Sequence, residues 1–169
     1  DVLRFSGVLK PNHFNILFSS SFDNWVKNSD LAIAVCKMAE ENLYKPINLI
    51  ELKNYSREEV NVLMNLSDCL LLTSISEGSP QFIKEGMACN KPIVSTNVGD
   101  VKWLFGNTEG CYISSFDPII LKEKLLEAIE FSKNRGKTNG RERLIELGLD
   151  SETIARKIHS IYLSILDKQ

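Results

Sequence analysis

The chain has 169 residues, 43% hydrophobic and 25% charged, with 20 Lys and Arg against 22 Asp and Glu. That length suits one domain with a core of its own, and the composition excludes a disordered chain. A formal net charge of −2 argues against nucleic acid as the main partner. The sequence begins with Asp rather than Met, so it is expected to be a piece of something longer.

In chain order, residues 15–20 read as a short buried strand. A helix is expected over residues 29–42, with Leu31, Val35, Met38 and Ala39 at helical spacing. Pro46 breaks the chain, and residues 47–52 read as a second strand. Ser56-Arg-Glu-Glu59 is a capping-box pattern, and Val60, Leu63 and Met64 carry one face of the helix behind it. Residues 69–73 form a nearly continuous apolar strand, the kind buried on both faces of a parallel sheet. Pro80 suits the first position of a helix running to about Cys89, where Asn90 can cap in the left-handed conformation and Pro92 blocks extension. Residues 92–96 are a fourth strand, a short helical turn covers residues 101–105, and residues 111–113 are a fifth strand. Asp117-Pro118 caps a helix to about Lys133, and residues 134–139 are a polar loop. A final helix after Ser151 places Ile154, Ile158, Ile161, Tyr162 and Ile165 on one stripe, read as core.

Strands alternating with helices predict an α/β fold, a Rossmann-like three-layer domain with a mainly parallel sheet. Ligands of such sheets bind at the carboxyl ends of the strands, so the loops to search follow Ser20, Thr73 and Thr96. The four cysteines are 33, 20 and 22 residues apart without a CxxC pair, which reads as free thiols in a reducing compartment. His13 and His159 have no ligand-spaced neighbours, so no metal site is expected. No apolar run approaches the length of a membrane span, and no signal peptide is visible; a soluble, cytoplasmic protein is expected.

Several motifs are absent. There is no GxGxxG turn, Gly136-Lys137-Thr138 lacks the leading glycine of a P-loop, and no Gly-x-Ser-x-Gly elbow occurs. Ser19-Ser20-Ser21 stands where a phospho-accepting receiver needs aspartates, and no Asp-x-Asp pair exists for a metal-assisted mechanism.

The informative segment runs from Thr73 to Glu85. Gly78 lets the backbone approach a ligand, and the amides of Ser79, Gln81 and Phe82 open a helix, a ready phosphate site. Glu77 and Glu85, eight residues apart, repel phosphate but accept hydrogen bonds from sugar hydroxyls. Phosphate flanked by hydroxyls describes a nucleoside-diphosphate sugar.

Glu77-Gly-Ser-Pro80, Glu85-Gly-Met-Ala-Cys89, Lys91-Pro-Ile-Val-Ser95 and Val98-Gly99 together resemble the donor-binding core of GT-B glycosyltransferases of the family 4 (group 1) kind. That family carries EG-x-P, then EAMA-x-G-x-PVV, with two glutamates in an E-x7-E motif. The resemblance implies that residues 1–169 are the C-terminal half of a GT-B fold. The acceptor domain on its N-terminal side would be absent from this chain.

By this resemblance Glu85 binds ribose hydroxyls, Glu77 contacts the transferred sugar, and the stretch from Gly78 and Ser79 through Pro80, Gln81 and Phe82 holds the donor. The segment Ser21-Phe-Asp-Asn-Trp-Val-Lys27 resembles the family loop whose lysine contacts the pyrophosphate, so Lys27 and Glu77 are the catalytic candidates and Ser20 and Ser21 line the donor site. A second phosphate-clamping arginine, common in the family, is replaced within Ser19-Ser20-Ser21. Asp100 stands where a second glycine is frequent, and Gly86 and Asn90 replace the family's alanine and glycine.

The function implied is retaining hexosyl transfer from a nucleotide sugar to a saccharide or lipid-linked acceptor, in polysaccharide biosynthesis, without metal or other cofactor. Isolated, the domain would be inactive, and the resemblance is compatible with peripheral membrane association of the full-length protein. A non-catalytic nucleotide-sugar-binding module and a nucleotide-sugar epimerase on the same fold are the alternatives.

Overall fold

The computed structural model describes residue 5 and residues 7–166. Five strands form one parallel sheet: β1 (Phe14–Phe18), β2 (Ile47–Ile50), β3 (Cys69–Leu72), β4 (Ile93–Thr96) and β5 (Cys111–Ser114). Their spatial order is β2-β1-β3-β4-β5, so the chain winds one way from β1 to β2 and then reverses across β1 to β3. The reversal opens a crevice between the carboxyl ends of β1 and β3, where doubly wound sheets bind ligands.

Seven α-helices connect and flank the strands: α1 (Ser29–Glu40), α2 (Arg57–Leu66), α3 (Gln81–Ala88), α4 (Val101–Phe105), α5 (Pro118–Asn134), α6 (Gly140–Glu146) and α7 (Ser151–Leu166). The three central strands, β1, β3 and β4, are buried on both faces because alternate side chains enter two cores. Leu17, Leu70, Leu72 and Ile93 join Leu63, Ile83, Met87 and Leu104 on one face. Ile16, Phe18, Leu71 and Val94 join Val35, Ala39, Leu125 and Ile129 on the other. The result is the expected three-layer α/β arrangement.

Local signals decide several helix ends. Ser56 Oγ accepts from Glu59 N at 3.3 Å while Glu59 Oε2 accepts from Ser56 N at 2.7 Å, completing the capping box. Asp117 Oδ1 accepts from Ile119 N at 2.8 Å with Pro118 at the first turn of α5. Asn90 takes φ 55°, the left-handed stop after α3.

Three expectations are corrected. Pro80 is not the first residue of α3 but its N-cap, with φ −68° and ψ 121°, since a proline's fixed φ suits both positions. The polar loop at residues 134–139 leads into a helix that the spacing did not reveal, α6, which buries only Gly140 and Leu144. The stripe on α7 is not core: the helix has no buried residue, and Ile161 and Tyr162 are 59% and 64% exposed. Its periodicity is amphipathic, but no described element covers the apolar face.

All four cysteines are free. Burial pushes the Cys36 and Cys111 thiols up to about 12 and Cys69 higher still, so these thiols stay protonated and unreactive.

Candidate functional site

The loop after β1 is ordered by its own asparagines. Asn24 caps a short 3-10 turn, Trp25–Lys27, accepting from Val26 N at 3.2 Å, and Asn28 reverses the chain at φ 53° before α1 begins. The loop after β3 is fastened to it: Ile75 N donates to Val26 O at 2.8 Å. Thr73, fully buried at the end of β3, shares its hydroxyl between the carbonyls of Lys27 at 2.8 Å and Asn28 at 2.9 Å.

These backbone ties bring together two side chains fifty residues apart. Lys27 Nζ lies 2.5 Å from Glu77 Oε1, and Ser74 Oγ donates to the same oxygen at 2.7 Å. The two side chains are only 20% and 14% exposed, so the pair sits in the crevice rather than on the open surface. Glu77 Oε2 takes no hydrogen bond from the described residues. Ser74, which the sequence did not single out, is positioned by Thr96 Oγ1 donating to its carbonyl at 2.8 Å.

The stretch from Gly78 to Phe82 leads from this pair into α3. Pro80 offers no side-chain cap, and the first turn of α3 has no acidic residue. The leading amides of α3 therefore have no side-chain cap, and the positive end of its macrodipole follows Glu77 by four residues. Gln81 is exposed, whereas Phe82 is 8% exposed with its ring in the core, so only its amide can serve a ligand.

The Gly78–Ser79 turn is clasped by the loop after β4. Asp100 N donates to Gly78 O at 3.1 Å, and Ser79 Oγ donates to Asp100 Oδ2 at 2.5 Å. Gly99 makes that approach possible: at φ +54° a Cβ would overlap Gly78 O and lie 2.9 Å from Glu77 O. The only sequence signal for this clasp is the pair Gly99-Asp100 after a buried strand.

The Ser21 hydroxyl is engaged away from the Lys27–Glu77 pair. Ser21 Oγ turns to Asp23 at 3.3 Å and Glu51 at 3.5 Å, and Phe22 N donates to Glu51 Oε2 at 2.9 Å. Lys53 Nζ meets Asp23 Oδ2 at 2.5 Å, and that hydrogen bond holds the Asp23 carboxyl below the usual carboxylate range. Ser20 joins the β1–β2 edge through its carbonyl, which accepts from Leu52 N at 3.0 Å. Glu85 is not joined to Glu77. It faces Arg57 Nη2 at 3.7 Å on the wall of a cavity of about 550 Å³ between α2 and α3. Among the described residues, no group of three or more His, Cys, Asp and Glu side chains could hold a metal ion. No helix among them is long and apolar enough to cross a membrane.

A parallel sheet with its strand order reversed at β1/β3 is that of a Rossmann-like α/β domain, and the Lys–Glu pair lies at its reversal point. The chain matches the family Glycosyl transferases group 1 over residues 41–146, more than half its length, and belongs to that family. It is 34% identical over 119 residues to an uncharacterized glycosyltransferase of Methanocaldococcus jannaschii, an alignment covering 62% of this chain and 34% of that protein. The chain thus spans about a third of the length of this relative.

Proposed function

We propose that this domain is the donor-binding, C-terminal half of a retaining GT-B glycosyltransferase. It would take a nucleoside-diphosphate sugar and stabilise the diphosphate as the sugar leaves. The observation that carries the reading is the Lys27–Glu77 pair in the crevice beside the uncapped start of α3. A diphosphate placed there meets main-chain amides, the helix dipole and one ammonium. The bond from the anomeric carbon to phosphate oxygen breaks, its electron pair stays on the diphosphate, and Lys27 offsets the charge that develops. An acceptor hydroxyl oxygen forms the new bond to the anomeric carbon, and its proton passes to the departing diphosphate.

Glu77 has a role in the same step. One oxygen is held by Lys27 and Ser74, and Oε2 is left to accept from a hydroxyl of the transferred sugar. Glu85, on the cavity wall, accepts from the ribose. In this reading the cationic work belongs to Lys27 and α3, and no metal is required. The acceptor, saccharide or lipid-linked, binds against an N-terminal domain, and the exposed apolar face of α7 is covered in the full-length protein. The isolated domain binds donor and transfers nothing.

Thermal shifts with UDP, GDP and ADP test the reading on wild type and Glu85→Ala. One nucleotide is expected to raise the melting temperature of the wild type, and the variant to lose most of that gain. Absence of stabilisation by all three refutes the site.

A further inference from the structure

The cavity of about 550 Å³ between α2 and α3 has an end that the donor reading does not use. It is lined by Arg57, Asn61 and Asn65 of α2, by Glu85, Cys89 and Asn90 along and after α3, and by Lys137 and Arg141. Glu85 stands at one end. Cys89 and Asn90 lie four and five residues further along the chain, about 6–8 Å down the helix axis. Lys27 and Glu77 are not among the lining residues.

Positive charge converges on that far end. Among the described residues no carboxylate forms an ion pair with Lys137 or Arg141. Lys91, next to them, reaches only the Asn65 carbonyl at 3.4 Å. Burial holds the Lys91 ammonium below its ordinary value; the charge of Lys137 acts in the same direction, and Asp68 opposes it. The lining carboxylates are Glu58 and Glu85, and Glu85 is already engaged by Arg57. Lys137 and Arg141 are thus two cations on one cavity wall that no ion pair among the described residues neutralises.

They also stand on a fixed frame. Thr138 N donates to Asn90 O, and Arg141 N donates to Asn90 Oδ1, both at 2.8 Å. The segment carrying Lys137 and Arg141 is thereby pinned to the end of α3.

We infer that this end of the α2–α3 cavity is a second anion site, which binds a phosphorylated small molecule between Lys137 and Arg141. A volume of about 550 Å³ exceeds what a lone phosphate fills and suits a sugar phosphate or nucleotide. Asn61 and Asn65 supply amide groups for its uncharged part. The site shares its cavity with Glu85, but its cations are not those of the crevice.

Inorganic pyrophosphate is the probe, titrated by calorimetry and thermal shift into wild type, Lys27→Met, Lys137→Gln/Arg141→Gln and a control, Lys122→Gln/Lys124→Gln. The control removes two charges from α5, away from the cavity. The expected result is a pyrophosphate site that persists in Lys27→Met, where crevice binding is lost, and in the control, and that weakens at least about ten-fold in the Lys137/Arg141 double variant. A single Arg141→Gln, with intact circular dichroism, is expected to show part of that loss. Wild type that binds no pyrophosphate, binding unchanged in the double variant, or equal loss in the control overturns the inference. Loss in Lys27→Met alone assigns pyrophosphate to the crevice and overturns it too.

Discussion

Replacing Gly99 by Ala tests whether the loop after β4 shapes the donor crevice. The residue holds φ +54°, where an L side chain is strained by about 1–2 kcal/mol. The added Cβ also meets two main-chain carbonyl oxygens, Gly78 O in overlap and Glu77 O at 2.9 Å, and neither can rotate away. Relief requires the Gly78 turn to move, which breaks the Asp100 N to Gly78 O bond of 3.1 Å. Overpacking of this kind costs about 1–3 kcal/mol and the lost bond about 1. The total is roughly 3–6 kcal/mol, and the melting temperature should fall by roughly 10–20 °C. Gly136→Ala is the matched control: φ is +73°, but its Cβ finds only Ser132 O at 3.8 Å, so it carries the backbone strain without the clash. Urea unfolding of both variants gives the difference, and nucleotide thermal shifts report whether the turn has moved. If Gly99→Ala matches Gly136→Ala in both measurements, the clasp has no part in shaping the crevice.

Lys27→Met and Glu77→Gln should be coupled in a double-mutant cycle by about 1–3 kcal/mol, because each single change strands the other group in a largely buried place; additive effects on urea unfolding would contradict the pair. Stability should fall at alkaline pH. The Cys36 and Cys111 thiols move from 9.0 to about 12 on folding, so the native state keeps protons that the unfolded chain releases. Their contribution is complete below about pH 9 and declines between 9 and 12, by roughly 1.4 kcal/mol per pH unit for each thiol. A Cys36→Ala/Cys111→Ala variant should show a flatter slope of unfolding free energy above pH 9, and an unchanged slope would count against the burial argument. Ending the chain at Asp150 should lower the melting temperature by no more than about 2 °C, since α7 buries none of its residues, whereas Leu125→Ala should cost about 2–5 kcal/mol. A large loss on truncation would mean that α7 is held by the domain after all.

The fold was legible where a signal is local. The unbroken apolar run at residues 69–73 and the Ser56–Glu59 box each state their structure within five residues. The helix α6 was not legible, because it starts on glycine, has seven residues and buries one side chain of any size, Leu144. For α7 the periodicity was read correctly as amphipathic, but periodicity carries no information on what covers a face. The site divides along the same line. The donor loop stood out because Glu77, Gly78 and Pro80 lie together in the chain. The partnership of Lys27 with Glu77 depends on β1 and β3 being neighbours, a property of strand order rather than of either segment. Arg57, Ser74 and Asp100 were missed for the same reason: their contacts to Glu85, Glu77 and Ser79 are tertiary, and none changes the local pattern.

The separation of the two glutamates bears on what a ligand must be to use both. Glu77 is in the crevice, and Glu85 is on the wall between α2 and α3, where its neighbour is Arg57. Gln81 to Glu85 along α3 is already about 6 Å of axis, and the turn from Glu77 to Pro80 precedes it. Under the proposed function a nucleoside alone reaches Glu85 and a sugar alone reaches Glu77, but neither meets the first amides of α3 on the way. Under the proposed function, affinity should therefore rise most sharply when the diphosphate is added, because that group ties two otherwise independent carboxylate subsites into one ligand. The free domain also holds each carboxylate against a cation, Lys27 or Arg57, so neither glutamate stands as an uncompensated charge before the donor arrives. Binding then exchanges partners rather than burying bare charge. The costs of desolvation fall on the ligand's hydroxyls and phosphates, for which the crevice already holds aligned donors.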